Sequence, residues 1–502
     1  MFESTLPFLL FDYFRVPYRL VPPGPAGPAP LPPAHPLREA GRLRWAGAGA
    51  PPRALSWPAF GAPGSRLAAL ARPDRYELDA TPIYGRVLPD DQLGRWLHQT
   101  GAGWAPAAAV RDPRGARVAS VWRAADGGLF LPYDPGEVIR NYWSERYRGI
   151  GAARLGGPAR KVAVGAYYRV RPVLSRAAQL RLRRLASRVQ ARSQFPRWPV
   201  ETALHDLYAR LFDDVATVAG VPVPWLSPWP EGRSWALVLT HDVETAMGYR
   251  SLHLLKEAEL GHGYRSSWNF VPRRYPVDDA LVKELLEDGF EVGVHGLYHD
   301  GRDLGSPALL VQRLPAMRAA ADRWQAVGFR APATQRRWEW MPLLGFAYDS
   351  SYPDTDPYEP QPGGCCTWLP YHNGRLVELP ITLPQDHTLF AILGHTDERL
   401  WVGKAEELRR RGGMALLLTH PDYLRERPLL DSYVRVLRRF ATDPTAWRAL
   451  PREVNDWWRR RAATRLEPAD DGWRVVGPAA EEATVAYWRP GVSALPADLP
   501  AG

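Results

Sequence analysis

The sequence predicts an α/β protein. Its C-terminal half carries a parallel, barrel-like sheet, with a smaller α+β domain ahead of it and a short β appendage behind. Three observations predict this. After residue 233, apolar strand-like runs alternate with longer helical ones. Two of those runs, WALVLTH (235–241) and MALLLTH (414–420), are apolar almost throughout, as strands covered on both faces are. The stretches between runs are long enough to be the crossover helices that parallel strands need.

Residues 20–75 are dense in Pro, Gly and Ala (PPGPAGPAPLPPAHP, then GAGAPPRA) and cannot supply a packed core alone. Between 76 and 170, RYELDA, PIYGRVL, ARVASVW, GLFLPY and GAYYRVR (165–171) read as short strands. Asp134-Pro135, just ahead of an amphipathic run, is a helix start. Residues 174–193 read as an arginine-rich helix, and 199–219 as another. VPVPWLSPWPEG then reads as a linker.

The larger half follows in order. WALVLTH is a strand, 246–260 a helix, SSWNFV (266–271) a strand and 278–289 a helix ended by Gly289. FEVGVH (290–295) is a strand, and 306–328 a helix in which Pro315 marks an expected kink or split. GFR, FAYDSS, LVELP and MALLLTH are further strands; 428–441 and 452–462 are helices. GWRVVG and ATVAYWRP close the chain as strands. The expected division is 1–170, 171–232, 233–463 and 464–502.

With 45% hydrophobic and 24% charged residues over 502 positions, the chain has a globular composition. Disorder, a collagen repeat and a disulfide scaffold are excluded. No apolar run approaches the length of a membrane span. Residues 1–10 are apolar but include Glu3 and no basic cluster, so they do not read as a signal peptide, and the expected compartment is the cytoplasm. The two cysteines, Cys365 and Cys366, are adjacent and fit a reducing compartment. The net charge of +10 is almost all arginine, with four lysines. That skew fits the codon usage of a GC-rich genome better than a basic face, so no nucleic-acid partner is expected. An anionic substrate or a peripheral membrane contact stays compatible with it.

Polar residues sit where apolar runs end, the strand ends that line active sites in such folds. These are Thr240-His241-Asp242-Val243-Glu244, His295-Gly296-Leu297-Tyr298-His299, Arg330-Ala331-Pro332 and Thr419-His420-Pro421. His295 and His299 are four apart, and on a helical turn both imidazoles would share a face and one metal ion. A neighbouring carboxylate completes a two-histidine, one-carboxylate set. Asp242 and Glu244, two apart on a strand, point the same way. A bound divalent ion activates water, a second carboxylate takes its proton, and a distant histidine, His420, returns one to the leaving group.

Taken together, these motifs resemble those of the polysaccharide deacetylase (NodB-homology, carbohydrate esterase family four) superfamily over residues 234–440. Asp349-Ser350-Ser351-Tyr352 matches the family's fourth motif and Leu416-Leu417-Leu418-Thr419-His420 its fifth. The resemblance implies a distorted (β/α)7 barrel and a divalent cofactor, with zinc the first expectation. It also implies roles: Asp242 the base, His295 and His299 metal ligands, Arg330 the holder of Asp242, His420 the acid and Asp349 its orienting carboxylate. Glu244 is the third ligand, because the aspartate usual at the second position of the first motif is Val243. The hydroxyl residue of the second motif is Gly296, and Ala333 stands where an aromatic follows Arg-x-Pro, leaving its N–H as oxyanion donor.

The expected activity is metal-dependent removal of an N-acyl group, N-acetyl foremost, from an amino sugar or glycan precursor in surface polysaccharide metabolism. Two alternatives stand beside it: hydrolysis of a small non-sugar amide or imide, and an inactive carbohydrate-binding or scaffold barrel. The loop 352–369 (YPDTDPYEPQPGGCCTWL) has the composition of a substrate-shaping lid, with Tyr352 and Trp368 as contacts. Among His372, His387 and His395, the pair Asp386-His387 is the best placed for a substrate contact. His372, His387 and His395 have no ligand spacing.

Overall fold

The computed structural model describes residues 1–22, 35–47, 53–61, 65–150, 195–470 and 472–489. The strand expected at 165–171 and the helix at 174–193 lie outside them. The described residues form two compact units.

One unit comprises residues up to 150, Thr202–Ser227 and the residues from Ala462 onward. A nine-stranded, mainly antiparallel sheet is its frame. Asp134 caps the helix Pro135–Trp143, accepting from the N–H groups of Gly136 and Glu137. The helix Ala203–Ala219 buries Leu204, Leu207, Leu211 and Phe212 on one side. The segment that reads as a linker contains a buried strand, Val223–Leu226, paired with Val485–Trp488. Its Pro and Trp suit a two-stranded ribbon, in which half the N–H groups need no partner.

The other unit contains residues 195–201 and Pro228–Arg461. Its nine-stranded sheet runs, edge to edge, Tyr371–Asn373, Leu376–Glu378, Tyr348–Asp349, Gly328–Phe329, Glu291–Val294, Ser267–Phe270, Trp235–Val243 and Met414–Thr419, with Ala446–Arg448 added beside the start of Trp235–Val243. All neighbours are parallel except Tyr371–Asn373 with Leu376–Glu378. Beyond the last parallel strand of one edge, the N–H groups of Thr382 and Leu383 donate to Leu416 C=O at 3.3 and 3.0 Å, joining it to the other edge. Every residue of Trp235–Val243 and Met414–Thr419 is buried, which is why both runs are apolar on both faces.

The helices Ala246–Gly261, Asp279–Glu287 and Pro307–Trp324 begin at Thr245, Asp278 and Ser306, whose side chains accept N–H bonds from the first turn. Pro315 does not split the last of them in two; the helix continues from Pro307 to Trp324. The lid expected at 352–369 is a packed loop instead. Nearly all of it is buried, and it is pinned by Asp354 N–H to Ile381 C=O and by a buried ion pair between Asp354 and Lys404 at 2.8 Å. No helix among the described residues is long and apolar enough to cross a membrane.

A candidate metal centre at the strand ends

The parallel strands deliver their C-terminal ends to one place. In the strand Trp235–Val243, alternation sends Thr240 and Asp242 to one face and His241 to the other. Asp242 is 2% exposed. Its Oδ1 accepts from Asn269 Nδ2 at 2.9 Å and from Arg330 Nη1 at 3.2 Å, while Oδ2 lies 3.6 Å from His295 Nε2. The strand register sets this row: Asp242 sits opposite Asn269, and Asn269 opposite Gly293. A Cβ on Gly293 would overlap Asn269 Oδ1, so the missing side chain is what lets the amide lie there. Sequence reasoning missed Asn269. Its only signal is a polar residue within an otherwise apolar strand.

Arg330 is 1% exposed, yet every arm of its guanidinium is used. Nε donates to Ser350 C=O at 2.7 Å, Nη2 to Ser350 Oγ at 2.8 Å, and Nη1 to Thr240 Oγ1 at 2.8 Å as well as to Asp242. A planar five-donor group held this way is fixed in orientation as well as charge.

His295 and His299 do converge, with ring centroids 5.1 Å apart, but not on a helical turn. The backbone leaves the strand through left-handed residues, Gly296 at φ 63° and His299 at φ 55°. Gly296 is obligatory for a second reason: a Cβ there would press on Pro332 and on the Asp303 carboxylate. His295 Nδ1 faces Arg330 C=O at 3.1 Å, and a carbonyl only accepts, so Nδ1 carries the proton. Nε2 is left buried and without a hydrogen-bond partner. His299 Nε2 is 2.8 Å from Glu244 Oε1, and His295 Nε2 is 4.0 Å from the same oxygen. One ligand atom each from Glu244, His295 and His299 lies within 4.8 Å of the other two. Two imidazoles, a carboxylate and an orphaned buried nitrogen aimed among them fit a divalent cation of the zinc type.

His420 lies beside this group, its Nε2 3.6 Å from Glu244 Oε1. Its Nδ1 is bonded to Asp386 Oδ1 at 2.6 Å, and its backbone N–H to Asp386 Oδ2 at 2.7 Å. Asp386, not Asp349, therefore orients His420. Asp386 precedes the short π-helical turn His387–Ile392 and accepts the N–H of His387. No strand pattern or spacing marks it in the sequence. Asp349 is fully buried and turned elsewhere. It sits opposite Glu378 in the sheet and accepts Ser351 Oγ–H at 2.7 Å, while Ser351 Oγ accepts Ala331 N–H. It braces the loop that follows Arg330.

The three expected substrate contacts fare differently. Ala333 is in the left-handed region, φ 53°, and its N–H takes no part in the backbone hydrogen bonds among the described residues. Tyr352 and Trp368 are each 2% exposed and offer no binding surface. The Arg336 guanidinium covers the Tyr352 ring at 5.4 Å. Trp368 accepts the N–H of Met414 through its carbonyl, at the end of that strand opposite His420. Both rings serve packing, because the loop that bears them is folded inward.

Burial alone would raise the carboxyls here, and the imidazoles and Arg330 outweigh it. Asp242 is held below its ordinary range by His295 and Arg330, and Glu244 well below by His295, His299 and His420. Burial would lower His420, but Asp386 and Glu244 push it well above its ordinary value. Asp349 and Glu378 are both raised by burial, Glu378 more so because the Asp349 charge opposes its ionisation. These shifts favour the ionised form of Asp242 and the protonated form of His420, the pairing that proton transfer in two directions needs.

No family model matches the sequence, and no curated protein matches it. Solved structures do. A probable polysaccharide deacetylase from Pseudomonas aeruginosa PAO1 matches 45% of this chain and 91% of its own, at 15% identity and a TM-score of 0.37. The PuuE allantoinase matches 46% of this chain and 92% of its own, at 14% identity and a TM-score of 0.37. A family 4 carbohydrate esterase from Streptomyces lividans, in complex with acetate, matches 43% and 91%, at 13% identity and a TM-score of 0.29. The chain resembles polysaccharide deacetylases and family 4 carbohydrate esterases.

Proposed function

We propose that the chain is a metal-dependent hydrolase that removes an N-acyl group, N-acetyl foremost, from an amino sugar or glycan precursor, in the metabolism of surface polysaccharides. One observation carries this reading: the buried Nε2 of His295, without a hydrogen-bond partner, faces Glu244 and Asp242 beside His299 and His420. The sheet is read as a distorted (β/α)7 barrel, which the seven successive parallel strands from Leu376–Glu378 to Met414–Thr419, leaving aside the added Ala446–Arg448, and the Leu416 link between the edges support.

His295, His299 and Glu244 would hold the ion, and zinc suits two imidazoles and a carboxylate. A divalent cation held there supplies Lewis-acid polarisation of an acyl carbonyl and lowers the pKa of water. Asp242, kept ionised and aimed by Arg330 and Asn269, takes the proton of the attacking water. His420, protonated at Nε2 and fixed through Nδ1 by Asp386, gives a proton to the departing amine nitrogen. The Ala333 N–H donates to the oxygen on which negative charge develops.

The test is acetate release from a panel of N-acetylated sugars by metal-stripped protein with zinc or cobalt added back. Activity that needs the ion and vanishes in Asp242→Asn is expected. Absence of acetate from every substrate, or turnover that survives Asp242→Asn, overturns the reading.

A further inference from the structure

The two histidines that face Glu244 are held in place by different means. His295 follows the strand Glu291–Val294 directly, is 1% exposed and is bonded to the Arg330 carbonyl. His299 lies in the loop that leads on to the helix Pro307–Trp324, and its side chain is 15% exposed. Burial does less to place it. Its backbone is left-handed at φ 55°, a conformation that a histidine keeps where surrounding contacts impose it. Several of those contacts converge on Arg313, which sits on the helix Pro307–Trp324 and is 9% exposed. Its Nη1 and Nη2 donate to Asp300 Oδ1 and Oδ2 at 2.7 and 2.6 Å, and Nη1 also donates to Asp303 Oδ1 at 2.6 Å. Asp303 Oδ2 accepts the Leu297 N–H at 3.1 Å. The guanidinium carbon lies 5.0 Å from the centre of the Tyr298 ring. One side chain therefore meets both sequence neighbours of His299, Tyr298 and Asp300, and reaches Leu297 through Asp303. Further bonds to the loop come one at a time: Arg274 Nη1 to His299 C=O at 3.3 Å, Gln335 Nε2 to Gly301 C=O at 2.7 Å, and Arg273 N–H to Leu297 C=O at 3.0 Å.

A mostly buried arginine set against two carboxylates is a weak source of stability, because desolvation offsets much of the attraction. It is a strong source of orientation. The planar guanidinium presents two parallel N–H donors, and a carboxylate that takes both is fixed in plane as well as in distance. A metal ligand needs that fixing, since groups that orient a ligating histidine bear directly on how well the ion is held. Resting on the metal-centre reading above, we propose that Arg313 is a positioning residue for the ion: it fixes the loop that presents His299 and thereby sets how tightly a divalent cation binds. Arg313 acts through the loop alone. His295, placed by its strand and by the Arg330 carbonyl, does not depend on it.

The test is the zinc affinity of the full chain, measured by competition with a chromophoric chelator, together with the visible absorption of the cobalt-loaded protein. Wild type takes up the ion, and His299→Ala sets the loss for a missing ligand. Arg313→Gln is expected to bind zinc at least about tenfold more weakly and to shift the cobalt bands. Arg313→Lys, which keeps the charge but not the planar fork, recovers part of the affinity. Asp300→Asn, at a side chain 31% exposed, leaves the fold intact and weakens binding by less than Arg313→Gln does. Arg323→Gln, on the same helix but paired with Asp279, leaves affinity and bands unchanged. Arg313→Gln protein whose affinity and bands match wild type overturns the proposal and leaves the metal centre standing. So does a loss confined to Arg313→Gln protein that has unfolded, with Asp300→Asn equal to wild type. No zinc uptake by wild type removes the centre itself, and this role for Arg313 with it. None of these readouts needs turnover, so a failure to release acetate tells against the hydrolase reading alone.

Discussion

Two histidine–carboxylate pairs lie close together in the parallel sheet, and they serve opposite ends. His420 meets Asp386 at 2.6 Å and turns its other nitrogen toward Glu244. His241 meets Glu259 at 2.6 Å, but its other nitrogen is already bonded to Thr419 Oγ1 at 2.7 Å, and its ring packs on Trp268 at 4.2 Å. Glu259 is in turn bonded by Ser266 Oγ and by the Tyr433 hydroxyl. One pair has an open nitrogen in the site; the other is closed on every side, behind the sheet. The same residue types at the same distance therefore make a reactive group or a structural one, according to which face of the pleat they occupy and what is left unsatisfied.

The comparison is sharpest at Asp242, the immediate neighbour of His241 on the opposite face. Asp242→Asn is expected to lower kcat by about 10³ or more while the folded state persists, seen as lost acetate release with an unchanged far-ultraviolet spectrum. A smaller effect is expected at the partner of His420. Asp386→Asn should lower kcat on the order of 10², and Asp349→Asn should leave it near wild type; the reverse order would restore Asp349 as the orienting group. On the closed side, His241→Phe should cost about 1–3 kcal/mol of stability in urea, by leaving Glu259 and Thr419 short of a partner, with kcat of the folded protein little changed. A large fall in kcat would mean that the two faces are not independent. The mildest effect concerns Glu291, at the far end of the strand that leads to His295. Burial pushes its carboxyl up from 4.5 to about 7. The native protein thus binds a proton that the unfolded chain has lost. The contribution to stability is full below about 4.5 and disappears as pH rises through about 7. The melting temperature should drop by a few degrees across that window in the wild type. Glu291→Gln should flatten the slope, and an unchanged slope would show that Glu291 is ionised throughout.

Much of the larger unit was legible because its strands are apolar on both faces and its helices carry ordinary start signals, Thr245, Asp278 and Ser306 among them. The polar groups at strand ends were legible for the same reason, since Asp242, His295, Arg330 and His420 stand out against apolar runs. Misassignments arose where geometry depends on a loop. The family resemblance assigns the orienting role to Asp349, whereas Asp386 reaches His420 from a π-helical turn that has no periodic pattern. Tyr352 and Trp368 have the chemistry of a binding surface, yet the loop bearing them is buried by contacts that lie far apart in sequence. Asn269 acts through a register shared by three strands, which no single segment reveals.

Gly293 gives that register an evolutionary edge. Any side chain at 293 would evict the amide that steadies Asp242, so the two positions are free to vary only in concert. Among relatives that keep an asparagine at 269, the residue across from it should be glycine. Where a larger residue has entered at 293, the aspartate must have found a different neighbour.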